Sequence, residues 1–357
     1  MNGEGIAGRG ATSGEGPGSG GTVVITGATG FIGGTVLGAL LRGGGTGADG
    51  DGGDGGDGGD GGDGGSARSG VPRVRALARR IPAEPRDAVE WVRGDVTDPA
   101  SLRGLCEGAT AVLHLASYVG SDEALGEAVN VDGTRAVMAE AARAGVPRVV
   151  HLSTAAVYGT GPHRGITVDE VPPEPVSAAS RTRLAGERYA REAGAVVLRP
   201  GIVTGPGDRW VVTGLRELVE RVPATWDGGG ALLSVVDAGD LGRLVARLAT
   251  GPRPVPSGVY HASHPEPVRI ADLLGELAAL GLLPPVRDED WSYAACLEAL
   301  RSTPGRASER QFALVARDHW YRSEEIWRLA DCPPGPGPLA RLAEALGWYR
   351  RSSGAAG

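Results

Sequence analysis

Lysine is absent: all 36 basic residues are arginine, a bias that lessens the meaning of any single arginine standing where a lysine is expected. The three cysteines, Cys106, Cys296 and Cys332, are odd in number and form no CxxC pair, which excludes a disulfide framework and a zinc site and fits a reducing cytoplasm. No cluster of His, Cys or carboxylates has metal-ligand spacing, so no metal is expected. There is no run of 18 apolar residues to cross a membrane, and the N-terminal stretch has no apolar core of a secretion signal. With a net charge of -7, the chain as a whole lacks the basic footprint of a nucleic-acid or anionic-membrane binder.

What is present is an ordinary globular composition with a glycine excess. Of the 357 residues 41% are hydrophobic and 22% charged, and 25 of the 61 glycines fall within 1–21 and 43–70. Those two stretches have almost no apolar side chains to bury, so the first reads as a disordered tail and the second, with its Asp-Gly-Gly triplets over 51–65, as a solvated acidic surface insertion. That leaves about 300 residues for one α/β domain and a small lobe. Apolar runs at 22–26, 71–78, 88–93, 111–116, 148–153 and 195–198 read as strands. Helical patterns at 32–41, 99–107, 122–144 and 181–192 lie between them. This alternation predicts a parallel sheet covered on both faces, with a nucleotide-binding domain over 22–205 and an interleaved substrate lobe over 206–350.

The sharpest motif is TVVITGATGFIGG at 22–34, in which Gly27, Gly30 and Gly33 form GxxGxxG between a strand and a helix. The first glycine permits the tight turn, the second removes a Cβ from the path of a pyrophosphate, and the third lets helix and strand pack closely. Thr29, Phe31 and Ile32 belong to the same turn, whose open N–H groups suit phosphate. At the end of the second strand a carboxylate would select NAD(H) by its ribose hydroxyls. This sequence has Ala78 followed by Arg79 and Arg80, so a 2′-phosphate and NADP(H) are expected, with NAD(H) the alternative. Asp95 and Val96 after the third strand are candidate adenine contacts.

At this point the chain resembles the extended or atypical short-chain dehydrogenase/reductases, the NAD-dependent epimerase/dehydratase group. The matching pieces are TGATGFIGG at 26–34, GDV at 94–96, HLAS at 114–117, NVDGT at 130–134, HLSTAAVYG at 151–159, LAGE at 184–187, LRPGIVTGPG at 198–207 and VVDAGDL at 235–241. The resemblance implies a doubly wound Rossmann sheet with a smaller C-terminal α/β lobe, and places Leu115 and Ala116 beside the cofactor. It also implies a catalytic Ser/Thr, Tyr and Lys. In that register Thr154 takes the hydroxyl position, whereas Ala179 stands at the tyrosine and Arg183 at the lysine. Arg183 can still bond a nicotinamide ribose, but a guanidinium does not relay protons, and Ala179 has no proton to give. Tyr118, Tyr158 and Ser180 are the replacement donors considered, Tyr118 first. A substrate carrying its own phenol is a further route, suggested by tyrosine-lacking family members of antibiotic pathways.

His114 and His151 are expected to be structural, and His163 in GPHRG to lie in a loop open to substrate. Trp210, Trp226, Trp291, Trp320, Tyr321 and Trp327, in a chain with only 4% aromatics, allow either core packing or a flat apolar pocket. The leading expectation is a cytoplasmic NADPH-dependent ketoreductase of specialised metabolism, monomeric or homodimeric. It acts on a small carbonyl substrate and binds neither nucleic acid nor membrane. A nucleotide-sugar epimerase, dehydratase or 4-ketoreductase, with Arg209 meeting the diphosphate, and a non-catalytic NADP-binding module are the alternatives.

Overall fold

The strand-forming runs assemble as expected in the computed structural model, which describes residues 21–43 and 71–354. The rest of the glycine-rich tail and the Asp-Gly-Gly insertion lie outside the described residues. Seven strands form the main sheet: β1 Thr22–Thr26, β2 Arg73–Ala78, β3 Val89–Arg93, β4 Ala109–His114, β5 Val149–Leu152, β6 Val196–Arg199 and β7 Gly258–His261. Every neighbouring pair is parallel, in the order β3-β2-β1-β4-β5-β6-β7. The direction of winding reverses between β1 and β4, which is where a doubly wound sheet opens its ligand crevice.

Alternation along β1 builds both layers. Val23 and Ile25 pack with Val36, Leu40, Leu241 and Leu244 on one face. Val24 faces the other way, against Val112, Val137, Met138 and Val197. On the first face helix Phe31–Leu41 lies against helix Ala238–Thr250, so closely that a Cβ on Gly242 would fall 3.0 Å from Thr35. A third core, around Trp226, Leu233, Ile270, Leu273 and Phe312, belongs to the lobe. Its sheet joins Val268–Arg269, Leu232–Leu233, His319–Tyr321 and His163–Ile166. The two parts are interleaved in sequence: β7 comes from beyond residue 205, and His163–Ile166 from before it.

Two expected helices differ. Of 99–107 only Pro99–Leu102 coils, as a 3-10 turn: Arg103 already has extended backbone (φ −60°, ψ 126°), and Gly104 follows at φ +76°. The long helix over 122–144 is realised as Glu123–Gly126, a wider π turn Glu127–Asp132, and Gly133–Arg143. Within the π turn the Asn130 carbonyl is turned to accept from Thr134 Oγ1 at 2.7 Å.

Candidate active site at the carboxyl ends of the strands

The glycine turn is tight because side chains have no room in it. Gly27 has φ +77°, and a Cβ there would sit 2.6 Å from the Ala116 nitrogen; one on Gly33 would meet the Gly27 carbonyl at 1.9 Å. Gly30 precedes helix Phe31–Leu41 without a side-chain cap, so no side chain among the described residues claims the first-turn N–H groups that a helix start leaves over. Thr29 and Gly30 are exposed, and Phe31 and Ile32 half-buried. The loop after β4 is stitched to β1 by Leu115 N–H donating to Thr26 O (3.2 Å) and Ala116 N–H to Thr26 Oγ1 (3.4 Å). These residues form a backbone-lined cradle that fits a dinucleotide pyrophosphate.

Beyond buried Ala78, both Arg79 and Arg80 are exposed and have no partner among the described residues. Val96 is buried, and the Asp95 carboxylate is engaged locally, accepting from Thr97 N–H (3.0 Å) and Oγ1 (2.9 Å).

Thr154 follows β5 and caps the 3-10 turn Ala155–Tyr158: its Oγ1 accepts from Ala156 N–H at 3.2 Å. The hydroxyl proton has no acceptor among the described residues, so a half-buried O–H remains oriented and uncommitted. Ala179 is half-buried in the first turn of helix Ala178–Glu192. Arg183, one turn on, donates through Nη2 to Leu152 O (3.1 Å) and Ser153 O (2.6 Å), while its buried Nε has no partner among the described residues. Burial pulls its pKa down to about 10. Tyr118 folds over its own loop, where its hydroxyl accepts from Asp122 N–H at 3.4 Å. Its backbone N–H donates to Asn130 Oδ1 and its carbonyl accepts from Asn130 Nδ2, both at 2.8 Å.

Burial corrects three of the candidates for the chemistry. Tyr158 is sealed: its hydroxyl meets Arg199 Nη1 (2.8 Å), His261 Nε2 (2.8 Å) and Val168 O (3.1 Å), and burial raises its pKa. Ser180 is buried in a capping box, its Oγ donating to Ser177 O at 3.1 Å. His163 is no loop residue but a buried strand residue packed against Tyr158, His319 and Tyr321.

His114 and His151 are buried beneath the site with rings stacked 5.2 Å apart. Thr134 gives its proton to Asn130 O, so at 3.0 Å it accepts from His114 Nε2–H, leaving Nδ1 to accept from Thr26 Oγ1–H at 2.7 Å. Burial lowers the His114 pKa to about 4. The aromatic residues do not gather into one pocket: Trp226 and Trp327 lie in separate cores, Tyr321 is buried beside Tyr158, and Trp210 stands 75% exposed. Arg209 beside it is exposed and unpaired among the described residues.

The motifs LAGE and LRPG suggested no role for their own polar residues. They carry a buried ion pair, with Arg199 donating to Glu187 through Nε (3.0 Å) and Nη2 (2.6 Å), each side chain under 5% exposed. Ser153 Oγ donates to the same carboxylate. The available signal was Arg199 closing the otherwise apolar strand VVLR; Glu187 stands among several other charges of its helix and carried none.

Comparison with known proteins adds relatives to this geometry. Residues 66–262 match the model described as NAD dependent epimerase/dehydratase family. The chain is similar to sterol demethylase protein B of Methylococcus capsulatus, 32% identical over 202 residues, which is 52% of this chain and 53% of that protein. It is 33% identical over 210 residues to ceramide reductase of Caulobacter vibrioides, 57% of this chain and 52% of that one. The chain thus spans about half the length of these curated relatives. Among solved structures it resembles the dTDP-glucose 4,6-dehydratase DesIV of Streptomyces venezuelae with NAD and TYD bound. There the TM-score is 0.65 and the identity 21%, over 93% of this chain and 98% of that one, a likeness of fold.

Proposed function

Because the chain belongs to the NAD dependent epimerase/dehydratase family, we propose that it is an oxidoreductase of the short-chain dehydrogenase/reductase superfamily that reduces a carbonyl compound with NADP(H). The observation that carries the reading is the side-chain-free glycine cradle on the same sheet end as an uncommitted Thr154 hydroxyl. The nicotinamide, when bound, supplies hydride. The cradle N–H groups receive the pyrophosphate, with Leu115 and Ala116 beside it and Asp95 and Val96 toward the adenine. Arg79 and Arg80 pair with the 2′-phosphate. Arg183, whose Nη1 has no partner among the described residues, turns to the nicotinamide ribose. Thr154 donates to the substrate carbonyl and polarises it. Tyr118, whose hydroxyl only accepts within its loop, keeps a proton to give. The family members that lack the tyrosine support a ketone of specialised metabolism as substrate.

Exposed Arg209 favours a second reading, a nucleotide-sugar substrate whose diphosphate it would pair. Calorimetry and turnover test both. NADPH is expected to bind about tenfold or more tighter than NADH, a difference of about 1.4 kcal/mol, and Arg79→Ala with Arg80→Ala to abolish the preference. NADPH oxidation by aromatic ketones supports the first reading, and by nucleotide 4-ketosugars the second. Tight NADPH binding without turnover leaves a non-catalytic module, and no heat with either coenzyme sinks the reading altogether.

A further inference from the structure

We infer that Ser153 and Glu187 are positioning residues for Thr154, an inference that rests on the reading of Thr154 as the hydroxyl that meets the substrate oxygen. Thr154 itself has only one hydrogen bond of its side chain among the described residues, to Ala156 N–H. Its neighbours, by contrast, are anchored on both sides. Ser153 N–H donates to Leu198 O at 2.7 Å and Ala155 N–H to Pro200 O at 2.8 Å, so the backbone around Thr154 is bracketed against the end of β6.

The Ser153 side chain adds the third anchor. Its Oγ donates to the Glu187 carboxylate, which Arg199 holds by two N–H groups. Arg199 is held in turn by Tyr158, and Tyr158 by His261. The helix bearing Glu187 is fixed in register: a Cβ on neighbouring Gly186 would lie 2.1 Å from the Asn130 carbonyl of the π turn. Arg183, four residues before Glu187 and on the same helix face, holds the Ser153 carbonyl. Ser153 is therefore gripped at N–H, C=O and Oγ, and only the Oγ anchor depends on its own side chain. A catalytic hydroxyl displaced by a fraction of an ångström loses much of its effect.

The test is Ser153→Ala in the full chain, read by amide exchange and by kinetics. Exchange at the Ala156 amide is expected to quicken about fivefold while β5 and β6 stay protected, local opening being separable from global unfolding. The kcat for NADPH oxidation is expected to fall about tenfold with the KM for NADPH unchanged, and the loss to vanish when Ser153→Ala is made on Thr154→Val, as coupled residues require. Ser153→Cys keeps the unbranched shape, with a larger atom and a weak S–H donor. It is expected to give an intermediate change, and it carries the test should Ser153→Ala not fold. Unchanged Ala156 exchange, an equal rise across β5 and β6, or a kcat loss that persists on Thr154→Val overturns the inference. If no carbonyl is turned over but the Ala156 amide quickens alone, the positioning stands and the proposed reaction falls.

Discussion

The first turn of helix Ala178–Glu192 and the two turns that follow are built on opposite principles. The first offers Ala178, Ala179 and a Ser180 closed upon its own cap. The next two carry Arg183 and Glu187 into the ends of β5 and β6, where both are bonded to the chain. Ala179 in that first turn can change its side chain at little cost to the fold, because buried Thr182 leans only on the backbone there, its Oγ1 donating to the Ala178 and Ala179 carbonyls at 2.9 and 3.3 Å. The turns beneath cannot, since Arg183 and Glu187 there have each given up water for a specific partner.

The largest effect should separate the two. Arg199→Met leaves the Glu187 carboxylate buried without its cation and is expected to cost about 3–5 kcal/mol in urea denaturation. Adding Glu187→Leu should return part of that, whereas Ala179→Ser should stay within about 0.5 kcal/mol of the parent. A loss below about 1 kcal/mol for Arg199→Met would show that the buried pair is not what distinguishes these turns.

The histidines sharpen the same contrast, because all six are buried and none is held at the ligand-facing turn. Desolvation lowers His114 and His261 to about 4, and lowers His151, which also feels His114 and Arg183. The unfolded chain takes up these protons near pH 6.5 and the folded one does not. Their contribution is therefore complete above about pH 6.5 and is lost as the pH falls toward 4. A group shifted that far is worth on the order of 3 kcal/mol at 1.36 kcal/mol per unit. Melting temperature should be level at neutral pH and fall steadily across that window. A flat profile down to about pH 4.5 would remove the argument.

The main sheet was legible because its strands are short β-branched runs between turns and amphipathic helices, and because GxxGxxG marks one junction unambiguously. The π turn was not, since it keeps helical periodicity and differs only in where one carbonyl points. The burial of Tyr158 and His163 was hidden for a different reason. Tyr158 is covered by His261 and Tyr321, and His163 by His319 and Tyr321, all more than 90 residues away in sequence, and no local pattern announces a cover supplied from so far along the chain. The Glu187–Arg199 pair links two short motifs that could be read separately, but pairing them needed helix Ala178–Glu192 laid against the end of β6.

The smallest effect is the one that tests the bare turn directly. Ala179→Tyr places a phenol where the family resemblance puts one, at a half-buried position with no buried partner to lose. Stability should therefore hardly move, and NADPH oxidation with a ketone that lacks an acidic hydroxyl should rise. General acids contribute about 10²–10⁴-fold when well matched, but the gain here is expected nearer tenfold. The neighbouring cation is committed through Nη2 to the Leu152 and Ser153 carbonyls, and a guanidinium cannot pass a proton on as an ammonium does. If the variant binds NADPH as the parent does and gains nothing, the proton already comes from elsewhere. Tyr118→Phe should then suppress turnover of that same ketone, and a rate left intact would assign the proton to neither phenol.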